Sequence, residues 1–126
     1  MLKIAFHPIY KHELPVGHRF PMEKYDLLPQ QLIYEGTCVE ENFFEPKIPN
    51  NKHFFTAHDP EYFFDLLNIT LSQKAARKIG FPLSEVLVAR EMIIADGTIK
   101  ASEFALKNGF HLGLAQSKNP LTKKLR

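Results

Sequence analysis

Apolar and polar positions alternate at the start of the chain. Leu2, Ile4 and Phe6 are separated by Lys3, Ala5 and His7, the period-two pattern of a β-strand with one face more deeply buried than the other. The alternation stops at Pro8, and a run of Pro, Gly and His over 8–19 predicts a loop. Pro21 suits the first turn of a helix, which predicts a short helix over 21–28. Pro29 should break or kink it, because an internal proline removes a donor and collides with the preceding turn. Residues 38–44 form a weak strand candidate between Gly36 and the prolines Pro46 and Pro49.

Helical periodicity governs the second half. Asp59-Pro60-Glu61 combines a capping side chain, a proline fit for the first turn and an acid at the positive helix end, predicting a helix over 60–67. Thr70-Leu71-Ser72-Gln73 has the form of a capping box and opens a further short helix that Gly80 should end. The longest periodic segment follows Pro82, takes Ser84 as its cap and stops at Asn108-Gly109. Its inward stripe is Val86, Arg90, Ile93, Gly97, Ala101 and Ala105, stepping by three or four. Because the stripe keeps phase across Gly97, one helix is expected rather than two, and its small residues would let a neighbouring backbone come close. A few short strands among several helices place the chain in the α/β class.

Composition narrows the setting. The 126 residues suffice for one domain or part of a larger one, and 44% hydrophobic with 24% charged residues is the balance of a chain that packs. The single cysteine, Cys38, has no internal disulfide partner, and the N-terminus lacks the apolar stretch of a signal peptide, so a reducing, cytoplasmic setting is expected. The sequon-like Asn68-Ile69-Thr70 then has no glycosylation role. No apolar run approaches the ~20 residues that span a bilayer, so no membrane partner is expected. Net charge is only +2, yet no acidic residue follows Glu103 while Lys107, Lys118, Lys123, Lys124 and Arg126 do. Five charges without interleaved aromatics describe a solvated end better than a nucleic-acid site.

The chemistry-bearing residues are scattered. Of the six histidines, His7 and His12 are five apart across a loop, as are His53 and His58, and neither spacing puts two ligands on one helix face. No metal site and no catalytic residue is expected within the chain. Cys38 has no helix N-terminus or basic cluster to lower its pKa, and no nucleophile elbow, phosphate loop or dinucleotide fingerprint is present.

A resemblance adds what these patterns do not. The stretch Leu14-Pro15-Val16-Gly17-His18-Arg19-Phe20-Pro21-Met22-Glu23-Lys24-Tyr25, preceded by Pro8-Ile9-Tyr10, is similar to the first loop of bacterial histone-deacetylase-like proteins. Ala57-His58-Asp59-Pro60-Glu61-Tyr62 resembles the family's His-x-x-Tyr helix start. A third block, Ile79-Gly80-Phe81-Pro82-Leu83-Ser84 with Arg90, Gly97-Thr98-Ile99, Ala101, Ala105, Leu106 and Gly109, matches in order and spacing. Ala95-Asp96 departs from it, standing where the family has small residues and a glycine.

The resemblance implies the N-terminal part of an arginase-deacetylase fold: an incomplete parallel sheet with flanking helices over 1–109, followed by a divergent basic tail over 110–126. It implies a family whose zinc, held by two Asp and one His, polarises an amide carbonyl and activates water so that acetyl-lysine or a related acetylated amine is hydrolysed. The family continues past its equivalent of Gly109 into Gly-Gly-x-His-His and then Asp-x-His. Here the chain reads Phe110-His111-Leu112-Gly113-Leu114-Ala115-Gln116 instead, so the zinc ligands and the His-His pair are absent and no cofactor is expected in this chain. That abrupt change points to a frameshift, a premature stop or a genuine short product. Of the functional positions, the rim of the substrate channel remains: His18, Arg19, Phe20, Pro21 and Met22. On a plainer reading, His18 and Arg19 are polar loop residues while Phe20 and Met22 anchor the loop. Two functional expectations result: a deacetylase segment inactive by itself, or a non-catalytic interaction module that self-associates or pairs with a complementing polypeptide through uncovered sheet and helix faces.

Overall fold

The computed structural model of the chain describes residues 2–108 and a short strand at 112–113. Strand β1 (Ile4–Ala5) is central in a three-stranded parallel sheet, with β2 (Phe43–Phe44) on one side and β3 (Leu112–Gly113) on the other. Ile4 pairs with Phe43 and with Leu112, and Ala5 with Phe44 and with Gly113. A bond of 3.0 Å from the Phe6 N–H to the Phe44 carbonyl extends the ladder by one residue. The helices are α1 (Lys24–Tyr34), α2 (Lys52–Phe55), α3 (Pro60–Asn68), α4 (Gln73–Ile79) and α5 (Glu85–Asn108). The chain is thus mostly helical around a small parallel sheet, an α/β arrangement. Among the described residues no helix is long and apolar enough to cross a membrane.

The sheet is covered on both faces. Ala5 and its neighbour Phe44 face α5: a Cβ at Gly97 would lie 3.1 Å from Ala5 Cβ, and the Phe44 and Phe104 rings stand 5.2 Å apart. On the other face Phe6 and Phe43 meet edge to face at 6.4 Å and share a shallow apolar groove with Pro29 and Ile33 of α1. Two-sided cover corrects the one-sided burial expected for the first strand. Ile4 and Ala5 are 0% and 1% exposed, because parallel strands gain helices on both sides from their crossovers.

Local signals account for most helix boundaries. The Asp59 carboxylate accepts from Glu61 N–H at 3.0 Å to start α3, Ser72 Oγ accepts from Ala75 N–H at 3.2 Å to start α4, and Ser84 Oγ accepts from Leu87 N–H at 3.1 Å to start α5. The cap of α4 is therefore Ser72 and not Thr70, whose hydroxyl instead donates to Asp65 at 2.8 Å. Gly80, at φ 86°, closes α4 in the left-handed conformation that glycine adopts without penalty. α5 runs unbroken through Gly97, as its stripe requires.

Four local expectations differ. Helix α1 begins at Lys24 and passes through Pro29 to Tyr34. Proline stands in its second turn, where one ladder bond is lost, and its buried ring lines the groove shared with Phe6 and Phe43. Residues 38–42 do not join the sheet. Glu40–Asn42 form a 3₁₀ turn in which the Asn42 side chain accepts from Val39 N–H at 2.9 Å and donates to the Leu2 carbonyl at 2.8 Å. Val86 is 57% exposed, so the inward stripe of α5 begins instead at Leu87 and Val88. From Glu91 to Gly97 every residue of α5 is buried, which is the signature of a helix enclosed on all sides.

Candidate functional site

The loop leaving the carboxyl end of β1 is built by short-range bonds and anchored by long-range ones. His7 Nδ1 accepts from Ile9 N–H at 3.0 Å and closes a 3₁₀ turn at Pro8–Tyr10. Tyr10 is 1% exposed and lies against the gap left by Gly97: a Cβ there would stand 2.9 Å from its hydroxyl oxygen. Burial first, then the negative charge of Asp96, raises the Tyr10 pKa well above the ordinary phenol value, with Arg90 opposing, so this phenol stays neutral. Asp96 is itself 5% exposed, accepting from Lys47 N–H at 2.8 Å and pairing with Lys100 Nζ at 2.8 Å. An acid at the position where the resemblance implies a glycine thus ties the segment after β2 to α5.

Arg90 is the hub of this cluster. Its Nε donates to the Tyr10 carbonyl at 2.8 Å, its Nη1 to Glu91 Oε1 at 2.7 Å, and its Nη2 approaches Met22 Sδ at 3.9 Å. The guanidinium also lies 5.4 Å from the centroid of the Tyr25 ring, a cation–π distance. Arg90 and Glu91 are each 3% exposed, so the pair sits in a low-dielectric setting where removing either partner is costly.

The five residues named as a channel rim divide in two. Met22 is buried under Arg90, and Phe20 is half-buried, edge-on to Phe81 at 5.2 Å and stacked on Tyr25 at 6.3 Å. His18, Arg19 and Pro21 are exposed. His18 N–H bonds to the Pro15 carbonyl at 3.0 Å across a turn made possible by Gly17 at φ 86°. Its Nδ1 accepts from Phe20 N–H at 3.2 Å, which assigns the proton of the neutral ring to Nε2. The ring lies 5.6 Å from Phe81 on the wall of an open cleft of about 510 Å³ that Gln73, Arg77 and Leu83 also line. Phe20 and Met22 thus hold the loop to the core, while His18 and Arg19 are presented to solvent.

Three buried or shifted polar groups lie outside that set. His58 is 5% exposed and stacks on Tyr62 with ring centroids 5.9 Å apart. Glu91 escaped the sequence reading because charged side chains usually face outward; the apolar run Met92-Ile93-Ile94-Ala95 beside it was the signal that α5 is enclosed there. His12 has its pKa lowered, by burial first and then by the Arg90 charge, with Glu13 acting in the opposite direction. Among the described residues no three of His, Cys, Asp and Glu converge on a common point. His111 lies outside the described residues.

No family model matches the chain. An uncharacterized protein of Picosynechococcus sp. is similar to it, 35% identical over 106 residues. Those residues are 84% of this chain and 35% of the relative, so the chain spans about a third of the length of the curated relative it matches.

Proposed function

We propose that the chain is the N-terminal segment of a zinc-dependent deacetylase of the histone deacetylase superfamily, with the first part of an arginase-deacetylase fold. Its role is to supply the rim of the substrate channel, through His18, Arg19, Phe20, Pro21 and Met22. The chain alone hydrolyses no acetylated amine, since the zinc ligands and the His-His pair of that family are absent from its sequence, and no catalytic step is assigned to its described residues.

One observation carries the reading. Residues from the first and third blocks of resemblance, distant in sequence, meet in one cluster: Tyr10, Met22 and Tyr25 converge on Arg90, and His18 and Phe20 on Phe81. Strand order adds support. The chain steps from β1 to β2 and then to β3 on the other side of β1. Ligands of open α/β sheets bind outside the carboxyl ends of strands at such a reversal. The loop bearing His18 to Met22 follows the carboxyl end of β1.

The test is a chimera in which residues 1–109 replace the matched segment of the Picosynechococcus relative. Hydrolysis of an acetyl-lysine peptide by both the chimera and the intact relative is expected. An active relative whose chimera folds but cannot process the peptide would overturn the proposal.

A further inference from the structure

The open cleft between the His18 loop and α4 is charged with one sign. No acidic residue stands between Glu13 and Glu23 or between Asp65 and Glu85, while these two segments carry His18, Arg19, Lys74, Arg77 and Lys78. Arg77, Gln73 and His18 line the cleft with N–H donors, and Ala76, Leu83 and Phe81 line it with apolar surface. Among the described residues no carboxylate pairs with Arg77, whose exposed guanidinium stays available to an outside acceptor. His18 is exposed yet held in place. Its N–H donates to the Pro15 carbonyl, its Nδ1 accepts from Phe20 N–H, and its ring rests 5.6 Å from Phe81. The remaining donor, Nε2–H, is therefore presented at a fixed position, which lowers the ordering cost of binding. Phe81 is 6% exposed and already meets the rings of His18 and Phe20, so it offers no open face on which a nucleobase could stack.

We propose that this cleft of about 510 Å³ binds an acidic peptide segment, with carboxylates on Arg77 and on His18 Nε2–H and an apolar side chain against Ala76 and Leu83. A guanidinium fork suits a carboxylate, which it meets with two parallel bonds. The binding goes beyond the deacetylase reading and needs neither zinc nor an acetyl group, so either can fail without the other.

The experiment titrates the isotope-labelled full chain with a capped Ala-Glu-Leu-Glu-Ala peptide, followed by NMR, with Ala-Gln-Leu-Gln-Ala as the neutral counterpart. Saturable shifts centred on His18 and Arg77 are expected, weaker in added salt because the pairs are solvent-facing. Arg77→Gln should reduce the affinity by about threefold or more, the scale of one partly exposed ion pair. Lys78→Gln removes the same charge from α4 outside the cleft and should leave the affinity unchanged, with circular dichroism showing both variants folded. Equal affinity for the acidic and neutral peptides, equal effects of the two variants, shifts centred elsewhere, or no saturable shift at millimolar peptide would each overturn the proposal.

Discussion

Replacing Arg90 by Met keeps most of the stem volume and removes the guanidinium. Two short buried bonds disappear with it, 2.8 Å to the Tyr10 carbonyl and 2.7 Å to Glu91. Hydrogen bonds involving a charged group contribute about 1.5–3 kcal/mol each, and breaking a buried ion pair from one side costs roughly 3–5 kcal/mol, since a carboxylate is left buried with less compensation. Arg90→Met should therefore destabilise the chain by about 3–5 kcal/mol, a large share of the roughly 5–15 kcal/mol typical of a domain. The loss depends on the partner. In Arg90→Met combined with Glu91→Leu the buried carboxylate is gone as well, and a good part of the stability should return. Urea unfolding followed by circular dichroism on the four proteins of the cycle measures this directly. A single-variant cost below about 1 kcal/mol, or a double variant no better than Arg90→Met, would refute the assignment of Arg90 and Glu91 as a coupled buried pair.

Other outcomes follow from the same geometry. Gly97→Ala puts a methyl 2.9 Å from the Tyr10 hydroxyl oxygen and 3.1 Å from Ala5 Cβ, and should cost about 1–3 kcal/mol despite alanine's better helix propensity, measured by thermal unfolding. Met22→Ala should lose about 2–5 kcal/mol, whereas His18→Ala and Arg19→Ala should stay within about 0.5 kcal/mol of the parent; a large loss at His18 would contradict its exposure. The folded chain holds His12 below the ordinary histidine value of 6.5, so the unfolded chain takes up the proton more readily. Its contribution is thus intact above pH 6.5 and is lost as pH falls through the lower folded-state value. NMR titration of the His12 ring checks this, and in Arg90→Met the value should move up; an unchanged titration would remove Arg90 as a cause.

The starts of α3 and α5 were legible because their signals are local, whereas α1 starts three residues after the expected Pro21, α2 was not foreseen and the α4 cap falls at Ser72 rather than Thr70. Asp59 and Ser84 cap within three residues, and Gly80 ends α4 without help from elsewhere. The sheet was harder, since each strand is two residues long and carries too little pattern to separate strand from loop, as 38–44 illustrates. Alternation at Leu2, Ile4 and Phe6 located β1 but missed the burial of Ala5, which depends on Gly97 more than ninety residues away. In the candidate site, residue types and the loop are readable in the sequence, as is the division into the anchors Phe20 and Met22 and the exposed His18 and Arg19. The link between Tyr10 and Arg90 joins positions 80 apart and has no sequence signature. Pro29 does not end α1, which continues to Tyr34, and its ring lines the groove between α1 and the sheet. The wider deacetylase architecture is implied by resemblance, and the described residues establish only the coarser α/β arrangement.

The reading of this chain as a rim without a metal centre is tested most directly by counting zinc. The purified chain, equilibrated with zinc and then desalted, should retain no stoichiometric metal by elemental mass spectrometry and should leave an acetyl-lysine peptide intact. One zinc per chain, together with turnover of that peptide, would contradict it.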